Sequence, residues 1–575
     1  MRFLKSRVAQ AASSIRRLCV YLCIINTEFS RGGANVNCDN VQNLVRFIST
    51  FHRSRGSSEY RQLLNRIRET IFAWGINEKD VKLLKYKTGD ISYGNFDTTY
   101  VWEMRNAELW IDSPRRFINS FDLCRTSVVF GSGPTQGWET LELVDEHFEG
   151  DFSDKAVILN MAPDKAFDTY VKQKGAKCLI LYHMRAQDKS ICRTPEKMPD
   201  TVNYLSFPYT AENVGFGACG FSVNWNQYLF LKEIANKGFK VRFFVESELV
   251  TGDLDVLELS IPGSRSNMTI GIIAHLCHPS PGANDNASGS ALAIELARCL
   301  AESKPPVNIK VILVPEFFGS IPYAMENHLD YVINLDMVGE DQTKTGSTLL
   351  LQRTPPILPT FLDVALWKSL KENIPKTSET PARRLSSIQM RGGSDHVVFA
   401  NFSVSSPYIG QWPDRYYHTS DDTPDKCDPE MYTWIGNAIL QSIFYFDSAF
   451  ESIAKQAMFE AEQFLTQLKD SPGSEIISAV IRNAHGVKCR VPEPAKKITV
   501  NADGPLGYKW LKKKDISDKP HISDLGENIY LAARFLKDFD SVITFVSSYL
   551  KTDAKDVQDV METLIELGYL TSSPH

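Results

Sequence analysis

Between residues 269 and 410 the chain repeats one pattern: short, nearly unbroken apolar runs, TIGIIAH, NIKVILVP, YVINLDMVG and SVSSPYIG, separated by stretches with helical spacing that include 288–301 and 358–372. A strand that is apolar at almost every position leaves no face for water. It belongs in a sheet covered on both sides, and strands joined through helices pair largely in parallel. The expected fold class is therefore α/β, with a mixed, largely parallel sheet and helices on both faces. In such sheets ligands gather beyond the carboxyl ends of the strands, so the residues that follow each apolar run are the first place to look for chemistry.

The rest of the chain attaches to this unit. Residues 41–78 have helical spacing interrupted by RGSS and predict two helices, followed by a β-like stretch, TYVWEMRNAELWI. From 125 to 250 the strand-like KAVILN and AKCLILYH alternate with the helical DKAFDTYVKQKG and NWNQYLFLKEIANKG, a smaller inserted α/β domain. The stretch CRVPEPAKKITVNADGP at 489–505 reads as a linker. Beyond it ENIYLAARFLKDF, SVITFVSSYL and TDAKDVQDVMETLIELGYL predict three short helices, with Thr552 as N-cap and Gly568 as a stop. The expected division is an N-terminal extension at 1–40, the first part of the main domain at 41–124, the insert at 125–250, the core at 251–470 and a winged-helix-like C-terminal domain at 471–575.

Composition narrows the partners. With 575 residues, 43% hydrophobic and 23% charged, the chain can bury more than one core. A formal net charge of -6 supplies no basic field for phosphates, and 521–575 holds more acidic than basic residues, so nucleic acid is not an expected partner. The 11 cysteines include no CxxC pair, which favours a reducing compartment, and the expected location is cytoplasmic. The first residues do place basic side chains ahead of the apolar LCVYLCII, so a signal peptide or N-terminal anchor stays open. No run elsewhere approaches the roughly 20 apolar residues that cross a bilayer, and no membrane partner is expected. Self-association is left open.

The strand ends hold a constellation. His275 closes TIGIIAH, Asp285 sits in GANDNASG, Glu316 follows VILVP, Asp336 is flanked by VINL and MVG, and His418 lies in YYHTSDDTPD. A carboxylate directly after an apolar run is costly to bury unless a cation or a donor meets it. Singly, each has an ordinary explanation as a cap or a hydrogen-bonded loop residue. Together they make two imidazoles and three carboxylates, a donor set that suits zinc, and one aspartate between two ions roughly 3.5 to 4 Å apart would bridge them.

The order His, Asp, Glu, Asp, His, with the first His ten positions before the Asp of GANDNASG, followed by VPEFFGS, NLDMVG, SDHVVF and YHTSDD, resembles the cocatalytic zinc exopeptidase family of aminopeptidases, glutamate carboxypeptidase and glutaminyl cyclase. The resemblance spans roughly 255–450. The insert is similar to the protease-associated domain such enzymes often carry, and the C-terminal helices to the winged-helix tail of a bacterial aminopeptidase-like subgroup. It implies two zinc ions, one held by His275 and Asp336, the other by Glu316 and His418, with Asp285 shared, and a short peptide or amide substrate cut near a chain end. Asp395 and His396 match the segment that props the ligands from behind.

Two departures from that pattern leave alternatives. Relatives carry Glu-Glu, a general base followed by a ligand, where this chain has Pro315-Glu316. Glu316 is then either ligand or base; if it is a ligand, Glu340 of VGED is a weak alternative base. Relatives also carry His-x-Asp where this chain has HLCHPS, so Cys277 takes the place of the supporting Asp, and His278 becomes an alternative metal ligand to His275. A metal-dependent hydrolase of the aminopeptidase type is the expectation. A catalytically silent binding module with the same fold is the alternative that Pro315 motivates.

Overall fold

In the computed structural model, which describes residues 35–375, 383–507, 511 and 522–574, an eight-stranded mixed sheet carries the core. Its order is Val81–Thr88, Gly252–Ile261, Asn308–Val314, Thr269–His275, Tyr331–Leu335, Tyr408–Trp412, Thr348–Arg353 and Leu385–Gln389. The central strands, from 308–314 through 408–412, pair in parallel, and antiparallel pairings flank them. The N-terminal apolar run suspected as a signal or anchor lies outside the described residues. No helix among those described is long and apolar enough to cross a membrane.

Alternation along the strands explains the two covered faces. Ile270, Ile272, Ala274, Ile333 and Leu335 pack with the helices Cys38–Ile48, Ser58–Ala73, Gly289–Ser303 and Pro429–Ser448. Their neighbours Ile273, Ile312, Val314 and Val332 point the other way, to Ser320–Glu326, His396–Asn401 and the C-terminal helices. A period of two in a strand buried on both sides thus divides one apolar run between two cores. The two helices expected within 41–78 form at 38–48 and 58–73. They begin at Asn37 and Ser57, whose side chains accept hydrogen bonds from the first-turn amides.

A second sheet of seven strands stands beside the first, in the order Arg116–Ser120, Val101–Ile111, Lys240–Val250, Glu139–Asp145, Lys155–Asn160, Cys178–Tyr182, Cys219–Ser222. It reaches back ahead of residue 125. The strand formed by VWEMRNAELWI belongs to this sheet rather than to the main one, because its antiparallel partner is the strand that closes the unit at 240–250.

At the C-terminal end, Ile522–Leu536, Phe539–Leu550 and Ala554–Glu566 are helical, the last capped by Asp553 rather than Thr552. The supposed linker holds a strand, Lys496–Val500, paired antiparallel with Leu570–Pro574. Ile498 is fully buried, which is why that stretch is ordered against the helices rather than spanning between units.

Candidate metal centre

Asp285 lies at the centre of the site. The segment 283–288 turns between the strand ending at His275 and the helix starting at Gly289, and its polar side chains tie it to the loop after Leu335. Asn286 donates to the Leu335 carbonyl at 2.9 Å and accepts from Met337 N, Ser288 accepts from Val338 N, and Asn284 accepts from Gly339 N. From behind, Asp422 accepts from the amides of Asn284 and Asp285 at 2.7 and 3.0 Å. The GANDNASG stretch therefore binds the Asp285 loop to the Asp336 loop through side chains whose own hydrogen bonds are satisfied.

Around Asp285 the donors fall into two triplets. Its Oδ1 is 3.3 Å from His275 Nε2, which is 3.2 Å from Asp336 Oδ1. Its Oδ2 is 3.3 Å from His278 Nε2 and 3.0 Å from His418 Nε2. Within each triplet, His275–Asp285–Asp336 and His278–Asp285–His418, the donor atoms lie within 4.8 Å of one another. All but His418 are buried. His275 and His278 donate from Nδ1 to the carbonyls of Cys277 and Pro279, at 3.1 and 3.0 Å, which turns the lone pair of each Nε2 toward the centre. His278 Nε2 is buried with no hydrogen-bond partner, and two imidazoles meeting one carboxylate oxygen with no other donor between them make a grouping that a cation completes.

The charges agree with this arrangement. Burial pushes Asp285 upward, but the three imidazoles outweigh it and hold the carboxylate well below its usual range. Burial pushes His275 downward, and Asp336, Glu316 and the hydrogen bonds of Asp285 and Asp336 overcome it, holding this imidazole well above its usual range. His418, dominated by burial, is pushed down to about 4.

Glu316 belongs to neither triplet. It lines the same cavity, beside His275. Burial pushes its carboxyl well above the ordinary range; His275 opposes this, and the negative charges of Asp395 and Asp336 add to it. Its amide is held by Cys277 Sγ at 3.2 Å. Asp395, pushed up by burial to about 6, accepts from Phe317 N at 2.8 Å and from Ser320 Oγ at 2.5 Å, so it fixes the turn that presents Glu316. His396 props the opposite wall instead: its Nε2 donates to the Arg391 carbonyl and its ring lies 5.0 Å from that of Tyr408, whose hydroxyl donates to the Asp336 carbonyl.

The geometry redraws several sequence expectations. His275 and His278, expected as alternatives, both stand in the site, one at each oxygen of Asp285. The second triplet contains His278 where Glu316 was expected. Glu340 is not at the cavity: it is buried behind it, accepting from Asn284 Nδ2 at 2.7 Å. His418 itself, Phe317 next to Glu316 and Met337 next to Asp336 all have positive φ, 53°, 58° and 61°. Backbone strain of this kind gathers where side chains must be aimed against local preference.

Sequence reasoning missed the parts that hold the loops. Arg53, fully buried, donates to the carbonyls of Leu276, Ile48, Phe51, Pro281 and Gly282. It also exchanges backbone hydrogen bonds with His278. Gly282, with φ +49°, has no room for a Cβ, which would overlap His278 Nδ1. Arg193, from the second-sheet unit, does the same for the other loop, donating to the carbonyls of Arg415 and Tyr417 at 2.6 and 2.8 Å. From that unit too comes Tyr204, whose ring centroid lies 5.2 Å from that of His278 and 5.0 Å from that of His418. Tyr417 stacks on His418 at 3.8 Å. No pattern in the sequence marks an arginine that binds only carbonyls.

Residues 257–443 match the sequence profile of peptidase family M28. An aminopeptidase of Bacillus subtilis, YwaD, is 25% identical over 176 residues, 29% of this chain and 38% of the relative. A Clostridium acetobutylicum polysaccharide biosynthesis protein, named for its aminopeptidase-like domain, is 30% identical over 138 residues, 24% of this chain and 29% of the relative. The chain spans about a third of the length of these curated relatives. Among solved structures, a peptidase-like protein of Clostridium acetobutylicum is similar over 93% of this chain and 96% of its own, with a TM-score of 0.50 and 15% identity. A zinc aminopeptidase of Bacillus subtilis is similar over 72% and 96%, with a TM-score of 0.50 and 16% identity. At these identities the likeness is one of fold.

Proposed function

The chain carries a peptidase family M28 domain at residues 257–443, and from that premise we propose that it is a two-zinc hydrolase of the aminopeptidase type, cleaving a peptide or amide bond near a chain end. The observation that supports this most directly is the position of Asp285, one carboxylate with each oxygen turned to a separate set of donors. His275 and Asp336 would complete one ion's site, His278 and His418 the other's. When bound, the ions supply polarisation of the scissile carbonyl and a lowered pKa for the attacking water.

The protein's own groups do the rest. Glu316, outside both triplets but on the same cavity, accepts the proton of the attacking water and passes it to the departing amine; a buried carboxyl with a raised pKa is a stronger base for that transfer. Pro315 is then no loss of the base. Glu316 would supply the base that Pro315 does not, and His278 the donor that Glu316 then leaves missing. Asp395 and Cys277 position Glu316 by holding Phe317 N and Glu316 N. Tyr204 and Tyr417 cover the imidazole of His418 and keep water from its faces.

The test is metal content with turnover. Purified protein is expected to hold close to two zinc ions per chain and to hydrolyse members of a panel of aminoacyl amides, with activity lost to a chelator. Asp285→Ala is expected to lose both ions and all turnover; full activity in that variant would refute the site. Two ions with no turnover on any amide would instead favour a silent binding module.

A further inference from the structure

The cavity in front of the donors measures about 1000 Å³, and four arginines line it: Arg53, Arg55, Arg185 and Arg391. Two of them are occupied. Arg53 is bound to carbonyls, and Arg391 faces Asp524 at 3.4 Å. Arg55 and Arg185 have no carboxylate within ion-pair distance among the described residues. The Arg55 guanidinium lies 4.4 Å above the Phe318 ring and donates to the Tyr209 hydroxyl at 2.8 Å, and its Nε is buried with no hydrogen-bond partner. A cation withdrawn from water and given only a phenol and an aromatic face keeps unused donors in a fork that fits a carboxylate.

Position adds to this. Phe318 follows Glu316 by two residues, so Arg55 stands over the segment that carries the proposed base. Arg185 comes from the second-sheet unit, where its carbonyl is held by Arg193 Nε at 2.9 Å, and its charge acts on Tyr204, Tyr417 and His418. The donor set itself leans the same way. Three of the five donors are imidazoles, which would ligate in the neutral form, so two divalent ions would meet two ligand carboxylates, Asp285 and Asp336. Two guanidiniums without a carboxylate partner favour an anionic group on the substrate over a neutral one of the same shape.

We propose that the cavity selects amide substrates that carry a carboxylate beside the scissile bond, with Arg55 binding that carboxylate and Arg185 drawing it in. The turnover part of this rests on the hydrolase reading above; the binding part does not.

Two measurements test it. The first compares kcat/KM for glutamyl and glutaminyl amides of the same leaving amine, and for the aspartyl and asparaginyl pair, on the zinc-loaded protein. The wild type is expected to favour the acidic member by about 10-fold or more, as for a site whose polar groups are otherwise left unpaired. That ratio is expected to fall toward one in Arg55→Met and to fall severalfold in Arg185→Ala, a change at an exposed side chain that folding tolerates. The second titrates glutarate, with glutaramide as control, into the metal-free protein by calorimetry. Glutarate is expected to bind more tightly than glutaramide, and about 10-fold more weakly to Arg55→Met than to the wild type. A wild-type ratio near one, or a ratio and glutarate affinity untouched in both variants, overturns the proposal. Turnover of neutral amides alone would reject the acidic preference while leaving the hydrolase intact. Arg55-dependent glutarate binding with no amide turned over would keep the anion site and reject the hydrolase.

Discussion

A single side chain separates the two roles once open to Glu316. If His278 is a donor and Glu316 is not, the two substitutions diverge. His278→Ala is expected to lower the zinc content from two ions toward one, because the triplet around His418 then keeps a single imidazole and a shared carboxylate. Glu316→Gln is expected to retain both ions while turnover falls by about 10²-fold or more, the usual worth of a proton-transfer group. Metal analysis beside initial rates distinguishes them, and retained turnover in Glu316→Gln would remove the assignment. At this scale the sequence was partly readable. His275, Glu316 and Asp336 were visible because each ends an apolar run, where burial makes a charge conspicuous. The place of His278 was not, because whether a ring three residues beyond a strand turns inward depends on the loop path, and Arg53, 225 positions upstream, sets that path through carbonyls alone.

Among the elements, the strand Tyr408–Trp412 bears most directly on the site. It pairs with Tyr331–Leu335 and brings Gly410 against the end of that strand. A Cβ on Gly410 would overlap both the Asp336 carbonyl oxygen and the Tyr408 hydroxyl that donates to it. Backbone cannot yield as a side-chain tip can, so Gly410→Ala is expected to destabilise the fold by about 1–3 kcal/mol and to weaken zinc binding at the triplet containing Asp336, read by thermal denaturation and by competition with a chelator. Unchanged melting and affinity would show that the contact is slack. Elements of the main sheet were legible from unbroken apolar runs bounded by helices. The start of the second sheet was not, because VWEMRNAELWI looks like a strand of either sheet until its partner at 240–250, more than a hundred residues later, is known. Likewise the strand Lys496–Val500 hides within a stretch rich in proline and lysine, and only pairing with the C-terminal strand reveals it.

Taken whole, the molecule braces its centre from two sheets. The main sheet supplies His275, His278, Asp285 and Asp336, while the loop carrying His418 is tied to the second-sheet unit by Arg193, by the hydrogen bond from Tyr204 N to the His418 carbonyl at 2.7 Å and by that from Ser420 N to the Val202 carbonyl at 2.8 Å. Arg193→Met removes the charged clamp and leaves those half-buried carbonyls without this donor, a change worth up to about 1–3 kcal/mol per lost partner. It is expected to release zinc from the His418 triplet before the His275 triplet, giving a protein with about one ion per chain and little turnover; two tightly held ions in that variant would show the tie to be dispensable. The C-terminal helices steady the same cavity from the far side. Tyr549 donates to the Arg353 carbonyl and accepts from Met390 N, and Asp524 accepts from Gly392 N, at the loop leading to Asp395. Because Tyr204 both touches the His418 ring and binds the His418 carbonyl, any displacement of the second-sheet unit would disturb that imidazole as well. A ligand that bridges Tyr204 and the main sheet would thereby also hold His418 at its place beside Asp285.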